Sequence, residues 1–236
     1  MKYSNQTRIL VAVDSIIFGF DGSDYKILLI QRGFAPEKEK WSLMGGFVQL
    51  NESVDEAADR ILKQLTGLED VYLEQLHVFS KPDRDPIERV VAVAYVALID
   101  IQKYQQQIND DFHARWFLIK DLPKLIFDHE EMVKTALERL RYKAAFHPIL
   151  FELLPEKFTL PQLQAMYEGL YDIKIDKRNF SRKILSTSLL KKEKEKDKSN
   201  SKKGAFFYSL DEAFYKENFQ SFLNFIPKNE IPMLNE

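Results

Sequence analysis

The chain has 236 residues, of which 45% are hydrophobic and 30% charged, enough to bury one large core or two smaller ones. No apolar run approaches the roughly 20 residues of a membrane span, and the first residues lack the pattern of a secretory signal. We therefore expect a cytoplasmic protein with no membrane partner. The chain has no cysteine, which excludes disulfides, thiolate zinc sites and a cysteine nucleophile, and its four histidines show no metal-ligand spacing.

The net charge of −2 conceals one strongly basic segment. Residues 174 to 204 contain 12 Lys or Arg and four Asp or Glu, so the segment carries a net charge of +8. A concentration of this kind favours an anionic partner for that part of the chain.

The first part of the chain has the pattern of a sheet. Residues 8 to 20 and 25 to 33 are β-branched apolar runs separated by a DGSD turn, which predicts paired strands. Residues 41 to 48 predict another strand that ends in a Gly-Gly bend. Further strands are expected at 71 to 79, 88 to 100 and 114 to 119.

Two longer helices are predicted in the same part. One begins at Ser53, which forms a capping box with Glu56, and ends at Gly67. The other covers residues 129 to 146 with helical periodicity. Its apolar face comprises Met132, Val133, Ala136, Leu137 and Leu140.

After residue 147 the pattern changes to short helices. Helical segments are predicted at 149 to 155, 159 to 171 and 176 to 190, followed by a lysine-rich loop and an aromatic strand at 204 to 210. Thr159 with Gln162 forms a second capping box, and Asp176 caps the third segment. We expect two domains, 1–146 and 147–236, with the helix at 129–146 leading from one to the other.

The stretch from 46 to 68 has the spacing of a known motif. It resembles the Nudix box, with matching residues at Gly46, Glu52, Arg60, Leu62, Gly67 and Leu68. The resemblance covers about residues 8 to 145 and includes the segment at 83 to 99, which is similar to Nudix proteins that act on ADP-ribose-like compounds. It implies a Nudix-like α/β/α sandwich.

The chain departs from this motif where a metal ion would be bound. Ile61, Gln64 and Leu65 stand in place of the carboxylates that the family uses to ligate magnesium. Magnesium requires near-octahedral oxygen ligands, which isoleucine and leucine cannot supply. We therefore expect no metal, no cofactor and no catalytic residue. The alternative is a hydrolase of ADP-ribose or a related nucleoside diphosphate that recruits ligands elsewhere, such as Glu88.

Four residues are candidates for binding a small effector between the sheet and the box helix. Arg32 and Arg89 follow or enter strands where similar folds meet phosphate or sugar oxygens, and Trp41 offers a ring for stacking. Glu52 of the box completes the set. A surface charge for Arg32 and a core aromatic role for Trp41 are equally compatible with the sequence.

The basic segment follows the plan of a winged helix-turn-helix. In its predicted recognition helix Phe180 and Ile184 face the core, while Arg178 and Arg182 lie on the opposite side. Arginine and asparagine pair bidentately with base edges, and lysines of a wing contact phosphates. The predicted DNA-binding residues are Lys177, Arg178, Asn179, Ser181, Arg182, Lys183, Ser186, Lys191, Lys192, Lys202 and Lys203. A solvated helix with a charged loop, or a scaffold that binds RNA or protein without sequence preference, is the alternative.

Both parts together resemble the Nudix-related transcriptional regulators over nearly the whole chain. This resemblance implies an α+β protein, with a Nudix-like effector domain followed by a winged helix, that acts as a homodimer on a palindromic DNA operator. It implies a regulator, and we expect a repressor. Among the family's effectors we expect a sugar, L-arabinose, with an ADP-ribose-sensing regulator as the alternative.

Overall fold

The computed structural model describes residues 6–69, 71–104, 113–199 and 203–217. The described chain forms two compact units. The first contains residues 6–18, 27–97 and 113–136, and the second contains residues 19–26, 98–104 and 137–217, with the gaps just given. No helix among the described residues is long and apolar enough to cross a membrane.

A seven-stranded sheet is formed by the first part of the chain. Its strands are β1 (Leu10–Phe20), β2 (Tyr25–Gln31), β3 (Trp41–Ser42), β4 (Met44–Phe47), β5 (Tyr72–Phe79), β6 (Val90–Asp100) and β7 (Arg115–Leu118). Five strands lie in the order β3-β2-β1-β6-β5, while β4 pairs with β1 and β7 pairs with β2. The central strands β1 and β6 are almost continuously buried, which explains their long apolar runs.

The predicted strand at 41 to 48 is two strands, and its glycines do not form a bend. The break falls at Leu43, whose backbone N–H donates to Nδ1 of His129 at 3.1 Å instead of to a neighbouring strand. Gly45 and Gly46 lie inside β4, paired with Asp14 and Val13 of β1. A Cβ at Gly45 would stand 2.2 Å from a carboxylate oxygen of Asp14. The glycines therefore provide space for close packing.

The two longer helices form as the sequence predicts. Helix α1 (Val54–Thr66) has the complete capping box of Ser53 and Glu56, and it ends at Gly67 with φ 76°, a left-handed conformation suited to glycine. A short helix α2 (Ile101–Tyr104), not predicted, follows β6. Helix α3 (His129–Phe146) buries Met132, Val133, Ala136 and Leu140.

The C-terminal part combines three helices with a small sheet. Its elements are β8 (Phe158–Thr159), α4 (Leu160–Tyr171), α5 (Lys177–Ser186), β9 (Leu190–Asp197), β10 (Ala205–Leu210) and α6 (Glu212–Glu217), with the sheet order β8-β10-β9. Thr159 and Gln162 form the expected capping box of α4, and the side chain of Asp176 caps α5. This confirms the capping predictions.

Two predictions for this part are wrong. The segment predicted as a helix at 149 to 155 forms only a 3-10 helix at Ile149–Leu153. It ends at Leu154, which is extended because it precedes Pro155. The first half of the predicted lysine-rich loop is strand β9, which forms a hairpin with β10. Successive charged residues of this strand lie on opposite faces of the hairpin.

Candidate functional site

The loop before α1 is fixed to the helix by one ion pair. Oε1 and Oε2 of Glu52 accept hydrogen bonds from Nη2 and Nε of Arg60 at 2.6 and 2.8 Å, and Oε1 also accepts from the backbone N–H of Gln49 at 2.7 Å. The hydrogen bond from Arg60 lowers the pKa of Glu52 to about 2. Both carboxylate oxygens thus accept hydrogen bonds from the same chain, so Glu52 braces the loop.

Two of the three positions at which the Nudix box places metal ligands pack in or against the hydrophobic core. Ile61 is 3% exposed and packs in a cluster with Val13, Ala57 and Val93, and Leu65 packs against the same cluster. A Cβ at Gly46 would lie 2.7 Å from Cδ1 of Ile61, so there is no free volume between β4 and this side chain. The residues present do not fit the magnesium ion that the box implies.

Gln64, the third of these positions, is exposed at the surface of α1. Among the described residues, no group of three or more histidine, aspartate or glutamate side chains is placed to hold a metal ion. Glu88, the residue considered as a recruited ligand, is exposed at the start of β6.

A buried charged network lies on the opposite side of β1 and β4, and sequence analysis missed it. Arg84 donates to both carboxylate oxygens of Asp128 at 2.8 and 2.9 Å and to Asp14 at 3.4 Å. Its side chain is 4% exposed. His129 accepts from Leu43 through Nδ1, and burial lowers its pKa. The network fixes the 83–86 loop and the first turn of α3 to β1.

The only sequence signal for this network was the position of charged residues beside predicted apolar elements. Asp128 and His129 stand at the start of the predicted helix, and His129 was considered only for metal-ligand spacing. Asp14 interrupts an otherwise apolar strand, and a charge there is costly unless it is paired. A search for partners of such interrupting charges would have singled out Asp14.

A cavity of about 440 Å³ lies beside Trp41 and Phe127. It is lined by Glu37, Glu39, Lys40, Trp41, Lys124, Leu125, Ile126 and Phe127. Two aromatic side chains and two lysines thus border one space, while Glu37 and Glu39 add negative charge at its rim. None of the lining residues belongs to the box helix α1, although the sequence predicted an effector between the sheet and this helix.

Arg32 lies next to the wall of this cavity. Its guanidinium stands 4.0 Å from the ring centroid of Phe34 and 5.4 Å from that of Phe127, which lines the cavity. The buried Nε finds no hydrogen-bond acceptor among the described residues. Burial lowers the pKa of Arg32, and the nearby Asp85 and Asp14 oppose that effect. Trp41 itself packs edge-on against Phe117 at 4.7 Å.

Arg89 is not brought to the cavity. Its guanidinium donates to the backbone carbonyls of Ser80 at 3.0 Å, Lys81 at 3.2 Å and Val90 at 3.1 Å. These bonds hold together the chain segments that flank the 81–88 loop. The structure therefore separates the four effector candidates into two beside a cavity, Arg32 and Trp41, and two that brace loops, Glu52 and Arg89.

Helix α5 presents a basic face. Phe180 and Ile184 are buried at 3% and 0% exposure, which confirms the predicted core side. Most of the predicted DNA-binding residues of this helix are exposed, namely Lys177, Arg178, Asn179, Arg182, Lys183 and Ser186, while Ser181 is half-buried. Nη2 of Arg182 donates to Oδ1 of Asn179 at 2.8 Å, so these two side chains form one polar unit.

The wing is the hairpin of β9 and β10. A Cβ at Gly204, where φ is 66°, would stand 2.8 Å from the carbonyl oxygen of Asp197, so the closing turn requires glycine. Lys192 and Lys203 are exposed, and Lys191 pairs with Asp211 at 3.1 Å. Lys202 lies outside the described residues. DNA contact by these residues stays a prediction.

The class of protein follows from these two parts. A sheet with a Nudix-type box helix, joined in one chain to a winged helix with a basic recognition face, defines a DNA-binding protein with a small-molecule domain. Residues 8–136 match the model of the NUDIX domain, and residues 150–210 match the NrtR DNA-binding winged helix domain.

Three known proteins are similar to the chain. The ADPR responsive transcriptional repressor NtrR of Acinetobacter baylyi is 34% identical over 92% of this chain and 88% of its own length. NrtR of Shewanella oneidensis, in a crystal structure with a 27mer DNA, superposes with a TM-score of 0.77 at 31% identity, covering 87% of this chain and 95% of that one. An ADP-ribose pyrophosphatase of Methanocaldococcus jannaschii is 40% identical over 56% of this chain and 76% of its own length.

The chain therefore belongs to the family of Nudix-related transcriptional regulators, which join a Nudix domain to an NrtR-type winged helix. This confirms the predicted α+β fold class and the predicted function of a ligand-responsive DNA-binding regulator. The comparisons give no support to L-arabinose, since the relatives are named for ADP-ribose. The sugar assignment is corrected accordingly.

Proposed function

We propose that the protein is a transcriptional repressor that binds operator DNA as a homodimer and changes its DNA affinity when it binds ADP-ribose. The observation that carries this proposal is similarity to an ADP-ribose-responsive repressor along both halves of the chain, over 92% of its length. A hydrolase that resembled only the Nudix half would account for none of residues 150–210.

The cavity beside Trp41 supports a ligand of this kind. A nucleotide sugar combines a flat aromatic base, a diphosphate and hydroxyl groups. Trp41 and Phe127 offer rings against which a base stacks, and Lys124 offers a cation for a diphosphate, while Lys40 is ion-paired with Glu37. The unpaired Nε of Arg32 supplies a further donor beside Phe127. We propose this cavity as the effector site.

The apolar positions of the box explain why the ligand would persist. Pyrophosphate cleavage in this fold depends on metal-bound oxygens that polarise the diphosphate. With Ile61 and Leu65 in the core, the helix lacks the carboxylates for this chemistry. The effector then acts only through its different affinity for two shapes of the protein, for which a coupling of about 1 to 3 kcal/mol is typical.

DNA recognition rests on α5. Arg178 and Arg182 lie one helical turn apart on the exposed side, with Asn179 between them. Arginine reads guanine and asparagine reads adenine through bidentate hydrogen bonds in the major groove. In a two-fold symmetric dimer two such helices would enter successive major grooves, which predicts a palindromic operator.

The decisive experiment is a DNA-binding titration by fluorescence anisotropy against the upstream region of the gene for this chain. Scrambled DNA serves as the control, and each titration is repeated with ADP-ribose and with L-arabinose. We expect sequence-selective binding that ADP-ribose alone changes about 5- to 150-fold. Binding that ADP-ribose leaves unchanged contradicts the effector assignment, and equal affinity for scrambled DNA contradicts the regulator assignment.

Two arginine variants of α5 test the DNA-binding site, and two tryptophan variants test the effector site. Arg178→Ala and Arg182→Ala should each weaken operator binding by about 10-fold, since one bidentate contact contributes about 1 to 3 kcal/mol. Trp41→Ala should weaken ADP-ribose binding in calorimetry, with Trp116→Ala as the matched control outside the cavity lining. The proposal fails at the residue level if neither arginine variant weakens operator binding, or if Trp41→Ala and Trp116→Ala weaken ADP-ribose binding equally.

One observation favours a hydrolase as a second candidate, namely the 40% identity to an ADP-ribose pyrophosphatase. Chromatography of ADP-ribose after incubation with the protein and magnesium separates the two functions. We expect intact ADP-ribose. Formation of AMP and ribose phosphate that Glu52→Gln abolishes would establish the hydrolase.

A further inference from the structure

The wing hairpin carries opposite charges on its two faces. Alternate residues of a strand point to opposite sides, so Lys192, Lys194 and Lys196 of β9 share one face. All three are exposed. This face contains no acidic residue of β9, and its three lysines give it a charge of +3.

An aromatic ring of the neighbouring strand lies beneath two of these lysines. The Nζ atoms of Lys192 and Lys196 stand 3.6 and 4.2 Å from the ring centroid of Phe206. The register of β9 and β10, which is irregular between Phe206 and Tyr208, brings both lysines to the same ring. Cation–π attraction therefore holds two ammonium groups side by side at the surface, against their mutual repulsion.

The other face of β9 has its charges paired within the protein. Lys191 contacts Asp211 at 3.1 Å, Glu193 accepts from Ser209 at 2.9 Å, and Glu195 accepts from Lys157 at 3.0 Å. Asp197 is the fourth residue of this face and accepts from the backbone N–H of Ser199 at 2.8 Å. One lysine and three acidic residues give this face a charge of −2, which repels a polyanion.

We propose that the lysine face, defined as Lys192, Lys194 and Lys196 over Phe206, is the surface through which the wing contacts the phosphate backbone of operator DNA. Lys191, which sequence analysis included among the DNA-binding residues, belongs to the opposite face and makes no such contact. The proposal rests on the proposed DNA-binding function and adds the side of the wing that meets DNA.

Charge, geometry and chemistry favour double-stranded DNA as the occupant. The three lysines form a row along β9, in which the ammonium groups of Lys192 and Lys196 stand 3.6 and 4.2 Å from one ring centroid and are therefore at most about 7.8 Å apart. A phosphate backbone presents one charge per 3.4 Å of axis along each strand, a density that such a row can follow. Lysine contacts phosphate as a point charge without base preference, so this face adds affinity while α5 reads sequence.

The salt dependence of operator binding tests the proposal. Each phosphate contact steepens the slope of log K against log salt by about 0.9. We expect the full-length Lys192→Ala/Lys194→Ala/Lys196→Ala variant to lower the slope by about 2.7 and to weaken operator and scrambled DNA by the same factor. The matched control Lys191→Ala, which also removes one lysine from β9, should leave the slope unchanged.

A single variant protects the test against a folding defect. The side chain of Lys194 forms no ion pair, hydrogen bond or ring contact with another described residue, so Lys194→Ala should leave the urea unfolding curve unchanged and lower the slope by about 0.9. An unchanged slope in Lys194→Ala and in the triple variant overturns the proposal, as does an equal loss in Lys191→Ala. If the unaltered protein binds no DNA at all, the proposed function itself fails, which is a separate result.

Discussion

Helices α1 and α5 are capped and buried in similar ways. They differ in whether their polar side chains are already used in contacts within the protein. Both begin at a side-chain cap and bury one apolar face. In α1 and the loop before it, the residues at the positions of the Nudix box stabilise the fold. Glu52 of the loop binds Arg60 of the helix, and Ile61 packs in the core. In α5 the exposed side carries Arg178 and Lys183, which no contact within the described residues occupies.

The difference shows that a chain can keep the residues that give a motif its shape and lose the residues that give it its chemical activity. Spacing and caps determine whether a helix forms at a given place in the chain. Recognition of a partner depends instead on donors and acceptors that the protein itself has not already satisfied. Residues 46 to 68 keep the spacing and caps that form a helix. Residues 177 to 186 have these and also polar side chains available to a partner.

Replacing Ile61 with glutamate should have the largest effect on this contrast. The new carboxylate would be buried among Val13, Ala57 and Val93, which raises its pKa in the folded state by about three units and costs about 3 kcal/mol at pH 7. Because the folded pKa is raised, the loss should be complete above the folded pKa and disappear as the pH falls below about 4.3, the unfolded value.

Urea unfolding at pH 7 and at pH 4 measures this effect, with Ile61→Gln as the uncharged control of similar shape. The difference between the two variants should be large at pH 7 and small at pH 4. Stabilisation of Ile61→Glu by magnesium would contradict our interpretation, since it would mean that the box still assembles a metal site.

Replacing Gly46 with alanine tests the close approach of β4 to α1. The added methyl group would lie 2.7 Å from Cδ1 of Ile61, and overpacking of this kind costs about 1 to 3 kcal/mol. Ile61→Val removes Cδ1, so the double variant should recover part of the loss in a double-mutant cycle. Gly33→Ala is the control, because no heavy atom lies within 4 Å of the position of its Cβ. Additive effects at 46 and 61 would show that the two residues are not in contact.

The pH dependence of stability tests the brace at the start of α1. The folded pKa of Glu52 is lowered to about 2 by the hydrogen bond from Arg60. A lowered folded pKa means that the contribution is fully present above the unfolded value of about 4.3 and is lost as the pH falls from there through about 2. Glu52→Gln should therefore flatten the loss of stability in this window, measured by urea unfolding. An unchanged acid profile would indicate that the pair is not formed in solution.

Replacing the capping residue of α1 or of α5 with alanine should give the smallest effect on stability. Ser53→Ala removes one of the two hydrogen bonds of the capping box of α1, and Asp176→Ala removes the single side-chain cap of α5. Each should cost about 1 kcal/mol in thermal or urea unfolding. Asp176→Ala also removes a negative charge at the DNA-binding helix, so DNA affinity should rise, whereas Ser53→Ala should leave it unchanged. Equal effects of the two variants on DNA affinity would contradict the proposal that α5, and not α1, contacts DNA.

Features that depend on neighbouring residues in the sequence were predictable. The caps at Ser53, Thr159 and Asp176 and the buried side of α5 follow from local spacing, and all of them form. The Nudix fold of the first part likewise follows from six motif positions at fixed distances.

Features that depend on contacts between distant segments were not predictable. The Gly-Gly pair looked like a bend, but its role is set by Asp14 and Ile61, which lie 31 and 15 residues away from Gly45 and Gly46. Arg84 joins residues 70 and 44 positions away. The expectation of L-arabinose finds no support in the relatives, which are named for ADP-ribose, because no local pattern in the sequence encodes which ligand a domain binds.

The contact between Gly46 and Ile61 also limits how this chain can change during evolution. A single substitution that returned glutamate to position 61 would lower stability at once, while Gln64 and Leu65 would still lack carboxylates. Intermediate sequences on a route back to a metal site would thus lose stability before they could bind a metal ion. The loss of the metal site is therefore hard to reverse one substitution at a time, and drift at position 61 is confined to apolar residues that fit beneath β4.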